Sequence, residues 1–106
     1  MDAEQILQDN FEEKNNSFLY LLHEKSLFNK DAFHQFYDAV RAVADKDVNI
    51  SRNAQKIAFI YGQILKCFLY HFDKNDKYKI TNLPENYNKM IEFLDKSVEY
   101  YFTTRI

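Results

Sequence analysis

Glycine and proline are almost absent from this 106-residue chain, which contains one of each, together with one cysteine and no tryptophan. So few turn-forming residues argue against repeated strand–turn–strand architecture and favour long helices. The single cysteine, Cys67, excludes an internal disulfide, as is typical of proteins from a reducing compartment. These shortages predict a helical intracellular protein.

Long apolar runs are missing too. No stretch approaches the roughly 20 apolar residues of a membrane span, and the acidic start MDAEQILQDNFEEK does not resemble a signal peptide. With 46% hydrophobic and 17% aromatic residues, the chain is far too apolar to be disordered. We therefore expect one folded domain over residues 1–106, located in the cytoplasm and without a membrane segment.

The chain also lacks the overall positive charge of most nucleic-acid-binding proteins. Its formal net charge is −2, but the charges are unevenly distributed. Residues 1–47 contain ten acidic and five basic residues, whereas residues 48–106 contain six acidic and nine basic residues. This asymmetry predicts a molecule with an acidic and a basic side.

The first half of the chain predicts two amphipathic helices from the spacing of its apolar residues. One begins at Asp2 and runs to about Lys25, with weak helix formers at residues 15–17 that could interrupt it. The other is capped by Asn29 or Asp31 and ends in the run ADKDVN. We count them as the first two helices of the fold.

The second half predicts two more helices. The third starts with Ser51 as its cap, and the fourth starts near Asn82 with Pro84 in its first turn. The inner face of the third is predicted to contain Ala54, Ile57, Tyr61, Ile64, Leu65, Phe68 and Phe72. Four such helices with short connections predict an all-α fold, a single-domain up-and-down bundle of about four helices.

Between the last two helices lies the polar run HFDKNDKYKITNLPEN, residues 71–86. Its aspartates suggest a calcium loop, but lysine, tyrosine and proline occupy positions 5, 6 and 12 of that template when it starts at Asp73. Tyr78, Ile80 and Leu83 alternate with polar residues. We therefore expect a connector packed against the bundle.

No catalytic, metal-binding or cofactor-binding residue set is recognisable. The three histidines fall on three different predicted helices, and the only glycine, Gly62, lies inside a helix and not in a phosphate-binding loop. The inward positions are aromatic and aliphatic, unlike those of carboxylate-bridged metal bundles. We therefore expect no metal, no cofactor and no enzymatic activity.

Two acidic surfaces are candidate binding sites for a basic partner protein. On the first helix, a tyrosine is predicted to lie among carboxylates on the solvent side, and tyrosine is enriched at interface hot spots. On the second helix, aspartates repeat every seven residues. The alternative is that both are ordinary solvated helix faces. The candidate partner-binding residues are Asp9, Glu13, Tyr20 and Glu24 in the first set, and Asp38, Asp45 and Asp47 in the second.

An aromatic and basic stripe on the third helix allows two interpretations. Phe59 and Tyr70 share it with Arg52, Lys56 and Lys66. We expect the two rings to be covered by the 78–83 loop or by another helix, because a helix that is apolar nearly all round is usually central. Left uncovered, they would form an interface with a second copy or another partner.

The run KIAFIYGQILKCFLYHF, followed by DKNDKYKITNLPENYNKMIEFLDKSVEYY, resembles the small helical immunity proteins of bacterial toxin–immunity systems, including those of contact-dependent growth inhibition. The resemblance lies in size, acidity and richness in Lys, Asn, Tyr and Phe. It implies a cytoplasmic protein that binds its cognate toxin and blocks the active site. Such a toxin is often a basic nuclease, which the acidic first half would complement.

Two other functions remain open. A phage- or plasmid-encoded inhibitor or regulator, acting by protein–protein contact, would also suit acidic stripes at heptad spacing. A small helical nucleic-acid-binding protein would instead use the stripe of Arg52, Lys56, Phe59, Lys66 and Tyr70. The overall acidity argues against this second alternative.

Overall fold

The computed structural model describes residues 2–46 and 49–105, and within these ranges it contains five helices and no strand. They are α1 (Ala3–Phe11), α2 (Phe18–Lys25), α3 (Lys30–Lys46), α4 (Ile50–Phe72) and α5 (Tyr87–Arg105). The prediction of an all-α fold is confirmed. The count of four was one too low, because the first predicted helix is divided into α1 and α2. None of the described helices is both long enough and apolar enough to cross a membrane.

The division between α1 and α2 has a local cause. Glu13, Asn15 and Asn16 all adopt positive φ angles, of 51°, 56° and 56°, which no helix interior accommodates. Ser17 then caps α2, because its Oγ accepts a hydrogen bond from the Tyr20 N–H at 3.4 Å. Asparagine tolerates this left-handed conformation better than most residues, so the interruption anticipated at residues 15–17 is confirmed.

Of three predicted helix starts, one agrees with the structure and two do not. Asn29, and not Asp31, caps α3, since its Oδ1 accepts a hydrogen bond from the Ala32 N–H at 2.9 Å. The predicted cap at Ser51 is wrong, because α4 already begins at Ile50, after Asn49 in a left-handed conformation. The predicted start of the last helix near residue 82 is also wrong. Pro84 lies in a turn that precedes α5, and its carbonyl accepts from the Tyr87 N–H at 3.1 Å.

The core lies where the helices face one another. α3 packs against α1 and α5, while α4 packs against α1, α2 and, over fewer residues, α5. Phe18, Phe28 and Phe33 pack at the junction of α2 and α3 with ring centroids 5.1–5.5 Å apart, and Phe18 makes edge contacts with the other two rings. The fully buried large side chains are Leu7, Phe18, Leu19, Leu22, Phe28, Phe33, Phe36, Ile57, Ile60, Ile64, Leu94 and Tyr101.

The 73–86 connector is part of the packed structure. The Tyr78 hydroxyl donates to the Leu22 carbonyl at 2.5 Å, and Ile80 is only 5% exposed. Asn82 exchanges two hydrogen bonds with the backbone of Phe28, at 2.7 and 2.9 Å. The prediction of a packed connector is confirmed, and its anchor is the segment joining α2 to α3.

Candidate protein-binding surfaces

The turn after α1 and the outer side of α2 bring together four residues that we call the α1–α2 acidic patch: Glu13, Tyr20, His23 and Glu24. His23 Nδ1 lies 2.7 Å from Glu13 Oε1 and 3.8 Å from Glu24 Oε1. Tyr20 is half-buried and precedes Glu24 by one helical turn, which places both on the same side of α2. Three of the four residues of the first predicted set are therefore neighbours on one partly exposed surface.

The fourth, Asp9, does not lie on the solvent side as predicted. It is only 4% exposed, and its Oδ1 accepts hydrogen bonds from Gln5 Nε2 at 2.9 Å and Asn15 Nδ2 at 3.2 Å. Its backbone carbonyl accepts from the Lys14 N–H and the Ser17 Oγ. Asp9 thus holds the turn that presents Glu13. The neighbouring Asn-Asn-Ser run was the sequence signal for this role, since such side chains stabilise turns.

Asn10 is a second residue that stabilises this junction, and it was not identified from the sequence. It is 1% exposed, its Nδ2 donates to the Ile6 carbonyl at 2.9 Å, and its Oδ1 accepts from the Leu19 N–H at 2.9 Å. One side chain therefore links the last turn of α1 to the first turn of α2. These two bonds fix where the α1–α2 acidic patch can form.

The second predicted set lies on a different helix. Asp38 and Asp45 are both exposed on α3, as expected from their heptad spacing. The Tyr100 hydroxyl donates to Asp45 Oδ1 at 2.5 Å, and this bond raises the pKa of Tyr100. Arg105 Nη2 donates to the Asp45 carbonyl at 2.9 Å, so Asp45 also helps to close the end of α3 onto α5. Asp47 lies outside the described residues.

Only one group of described residues has the donor atoms to hold a metal ion. Ligand atoms of Glu13, His23 and Glu24 all lie within 4.8 Å of one another. His23 and Glu24 are exposed, and Glu13 already forms an ion pair with the imidazole when this is protonated. Electrostatically, the group is a carboxylate pair around a histidine, suited to receive a cationic side chain.

A second surface, the α4 outer face, consists of Ala58, Phe59, Gly62, Leu65, Lys66, Leu69, Tyr70 and Phe72. The expectation that its aromatic rings would be covered is wrong. The connector's apolar residues pack toward α2 instead, and the Phe11 ring contacts Phe59 from one side at a centroid distance of 5.2 Å. The large apolar residues are exposed by 70% (Leu69), 55% (Phe72), 45% (Tyr70), 44% (Phe59) and 36% (Leu65).

Leu65 and Phe72 were therefore misassigned to the inner face of this helix. The spacing of the exposed residues indicates that they form a face of their own. Ala58, Gly62, Leu65, Leu69 and Phe72 follow one another at spacings of four, three, four and three, which is the heptad pattern of a helix–helix seam. The buried residues Ile57, Ile60, Ile64, Cys67 and Phe68 form a separate stripe.

A groove of about 340 Å³ lies between α3 and the start of α5. Phe93 forms one wall and is 54% exposed, while Phe33 and Met90 form the apolar floor. Lys30 and His34 supply polar groups at its rim. The groove is open, and its lining offers apolar contact without a convergent set of catalytic groups.

Comparison of the chain with protein families, with curated proteins and with solved structures found no match.

Proposed function

We propose that this protein is an immunity-type binding protein that neutralises a cognate bacterial toxin by occluding its active site. The observation that supports this best is the convergence of Glu13 and Glu24 on His23, next to Tyr20, on an exposed surface. In this proposal the protein acts in the bacterial cytoplasm, without a cofactor and by contact, not by catalysis.

The chemistry of this surface suits a basic partner. The active site of a nuclease toxin is lined by lysine and arginine, because it must hold a phosphate backbone. Carboxylates from the turn after α1 and from α2 would receive such cations in place of phosphates and would accelerate the encounter. Tyr20 would add apolar burial at the centre of the contact. Asp38 and Asp45 on α3 would extend the attraction beyond the contact itself.

The test first identifies the partner, either from a toxin gene immediately upstream or by a pull-down from the native organism followed by mass spectrometry. The double variant Glu13→Lys and Glu24→Lys is compared with wild type in association kinetics at low and physiological salt. We expect the association rate constant to fall at least tenfold, with most of its salt dependence lost. In cells, the variant should fail to protect against the co-expressed partner.

A matched control carries the same change in net charge elsewhere. Glu92→Lys and Glu99→Lys reverse two exposed carboxylates on α5 and should alter the association rate only slightly. Equal rates for wild type and the Glu13/Glu24 variant would refute the proposed site. Circular dichroism of both variants excludes misfolding as the reason for lost protection.

Two alternatives remain, with different observations behind them. A phage- or plasmid-encoded inhibitor would use the same acidic patch, and a phage operon around the gene would favour it over immunity. A nucleic-acid-binding role would use the exposed Arg52, Phe59, Lys66 and Tyr70 on α4. Salt-dependent binding of single-stranded RNA or DNA would support that role, and no binding at low salt would exclude it.

A further inference from the structure

The α4 outer face is larger than the scattered apolar exposure expected on a monomer. Its five large apolar residues expose about half of their side-chain surface on average, or roughly 500 Å² if a full side chain offers about 200 Å². This is the size of the largest apolar patch on a typical monomer, roughly 300–600 Å², and such patches are often functional. Two such faces together would bury roughly 1,000 Å², the lower bound for a specific interface, before any flanking residue is counted.

The order of small and large residues along the face indicates which kind of helix would pack on it. The N-terminal half presents the small residues Ala58 and Gly62, and a Cβ added at Gly62 would meet nothing within 4 Å. The C-terminal half presents the large residues Leu65, Leu69 and Phe72, at the same heptad spacing. A partner helix that matches this face needs large residues opposite the small half and small residues opposite the large half. The same helix in the reverse direction has that order.

We propose that the α4 outer face binds a second copy of this chain, with the two α4 helices antiparallel. In the register that places Gly62 opposite Leu65 of the other copy, Ala58 lies opposite Leu69 by symmetry. Leu65 and Leu69 then each fill the space above a small residue of the other copy, so the helix axes approach closely without overlap. Phe72 packs beyond the small residues, against the first turns of the other α4.

The charges at the two ends of the helix fit the same arrangement. Arg52 is exposed in the first turn of α4, and Asp73 is exposed directly after its last turn. In this antiparallel register, Arg52 of each copy lies beside Asp73 of the other. The two residues are offset along the helix axis by about two positions. On the same flank, Phe59 of one copy faces Lys66 of the other, an arrangement that suits a cation–π contact. Parallel pairing would place both Arg52 side chains at one end and both Asp73 side chains at the other, so these opposite charges would not meet.

The first experiment measures the mass of the full chain by sedimentation equilibrium from about 1 µM to about 200 µM. We expect the mass to rise from the 12.8 kDa of one chain toward twice that value. Gly62→Arg should remain monomeric throughout. The substitution is harmless to the monomer, since the site is open and arginine favours helix more than glycine does. Thr104→Arg, at an exposed position of α5, is the control that adds the same side chain elsewhere.

The second experiment tests the direction of pairing. Arg52→Asp and Asp73→Arg should each weaken dimerisation roughly tenfold, because each removes two symmetric contacts and creates repulsion. The double variant Arg52→Asp/Asp73→Arg should restore the dissociation constant to near its original value. Such restoration requires the two residues to meet across an antiparallel interface.

Three results would overturn the proposal: a wild-type protein that is monomeric at 200 µM, a Gly62→Arg variant that still dimerises, or a double charge reversal that is weaker than either single one. Binding of single-stranded RNA by a monomeric wild type, lost in Lys66→Glu, would assign the face to nucleic acid. Folding of every variant is checked by circular dichroism. The proposal does not depend on the α1–α2 acidic patch, which involves other helices.

Discussion

Replacing Asn10 by alanine tests how the junction of α1 and α2 is held together. Asn10 is buried at the end of α1, and its side chain makes one bond back to the Ile6 carbonyl and one forward to the Leu19 N–H. The forward bond matters more. Leu19 lies in the first turn of α2, where a backbone N–H has no partner within its own helix.

The expected cost follows from these two bonds. Each net hydrogen bond contributes about 1 kcal/mol, and a buried N–H left without a partner adds a cost of about 1 kcal/mol or more. Alanine returns about 0.5 kcal/mol, because it favours helix more than asparagine does. Asn10→Ala should therefore lower the free energy of unfolding by about 2 to 3 kcal/mol, which corresponds to a fall in Tm on the order of 10 °C.

Urea unfolding followed by circular dichroism measures this difference, with Asn88→Ala as the matched control. Asn88 is exposed on α5, so its replacement should give only the small propensity gain. Both variants are compared at about 1 µM, so that self-association contributes little. If Asn10→Ala is as stable as Asn88→Ala, the amide bridge does not stabilise the junction and our account of the division between α1 and α2 is wrong.

Two further predictions concern the connector. Ile80→Ala should lower the free energy of unfolding by about 2 to 4 kcal/mol, because Ile80 is buried. The control Leu69→Ala, at an exposed site, should lower it by less than about 0.5 kcal/mol at low protein concentration. Equal losses would show that the connector is not part of the core. Burial, with a smaller contribution from Lys79, lowers the pKa of His71, whose Nδ1 accepts from the Ile80 N–H. Protonation is therefore disfavoured in the folded state, so stability present at neutral pH should be lost as the pH falls below about 6.5. His71→Asn, which keeps an acceptor in place, should flatten this loss in urea titrations between about pH 7 and pH 5, and an unchanged pH dependence would contradict the assignment.

Much of the fold could be predicted because periodicity and turn chemistry are local. The helical interruption at residues 15–17 and the cap at Asn29 depend on side chains within a few positions of the backbone groups they satisfy. The packed connector was also predictable, since Tyr78 and Ile80 alternate with polar residues in a way that only a buried extended segment requires. Its anchor, the segment from Leu22 to Phe28, was not predictable, because it is more than fifty residues away in sequence.

The errors came from positions whose environment is set by tertiary contacts. Asp9 has the spacing of a solvent-facing carboxylate, yet it is buried because the left-handed Asn15 returns the chain over it. Leu65 and Phe72 have the composition of core residues, yet α4 carries two apolar stripes and only one is covered. Which stripe faces inward depends on how α1 and α2 pack, and no local pattern contains that information.

The two surfaces would contribute to binding by different physical means. The α1–α2 acidic patch is small and charged, so its effect would be mainly on the rate of encounter with a basic partner and would weaken as salt screens the carboxylates. The α4 outer face is large and mostly apolar, so association through it would depend mainly on buried area, with a smaller salt-dependent contribution from the Arg52–Asp73 contacts. Because Glu13 and Gly62 lie on different elements, each can be substituted separately to distinguish the two modes. A protein that binds a toxin through its carboxylates could therefore present two such patches in one antiparallel dimer, and neither patch would require α4 to contact the toxin.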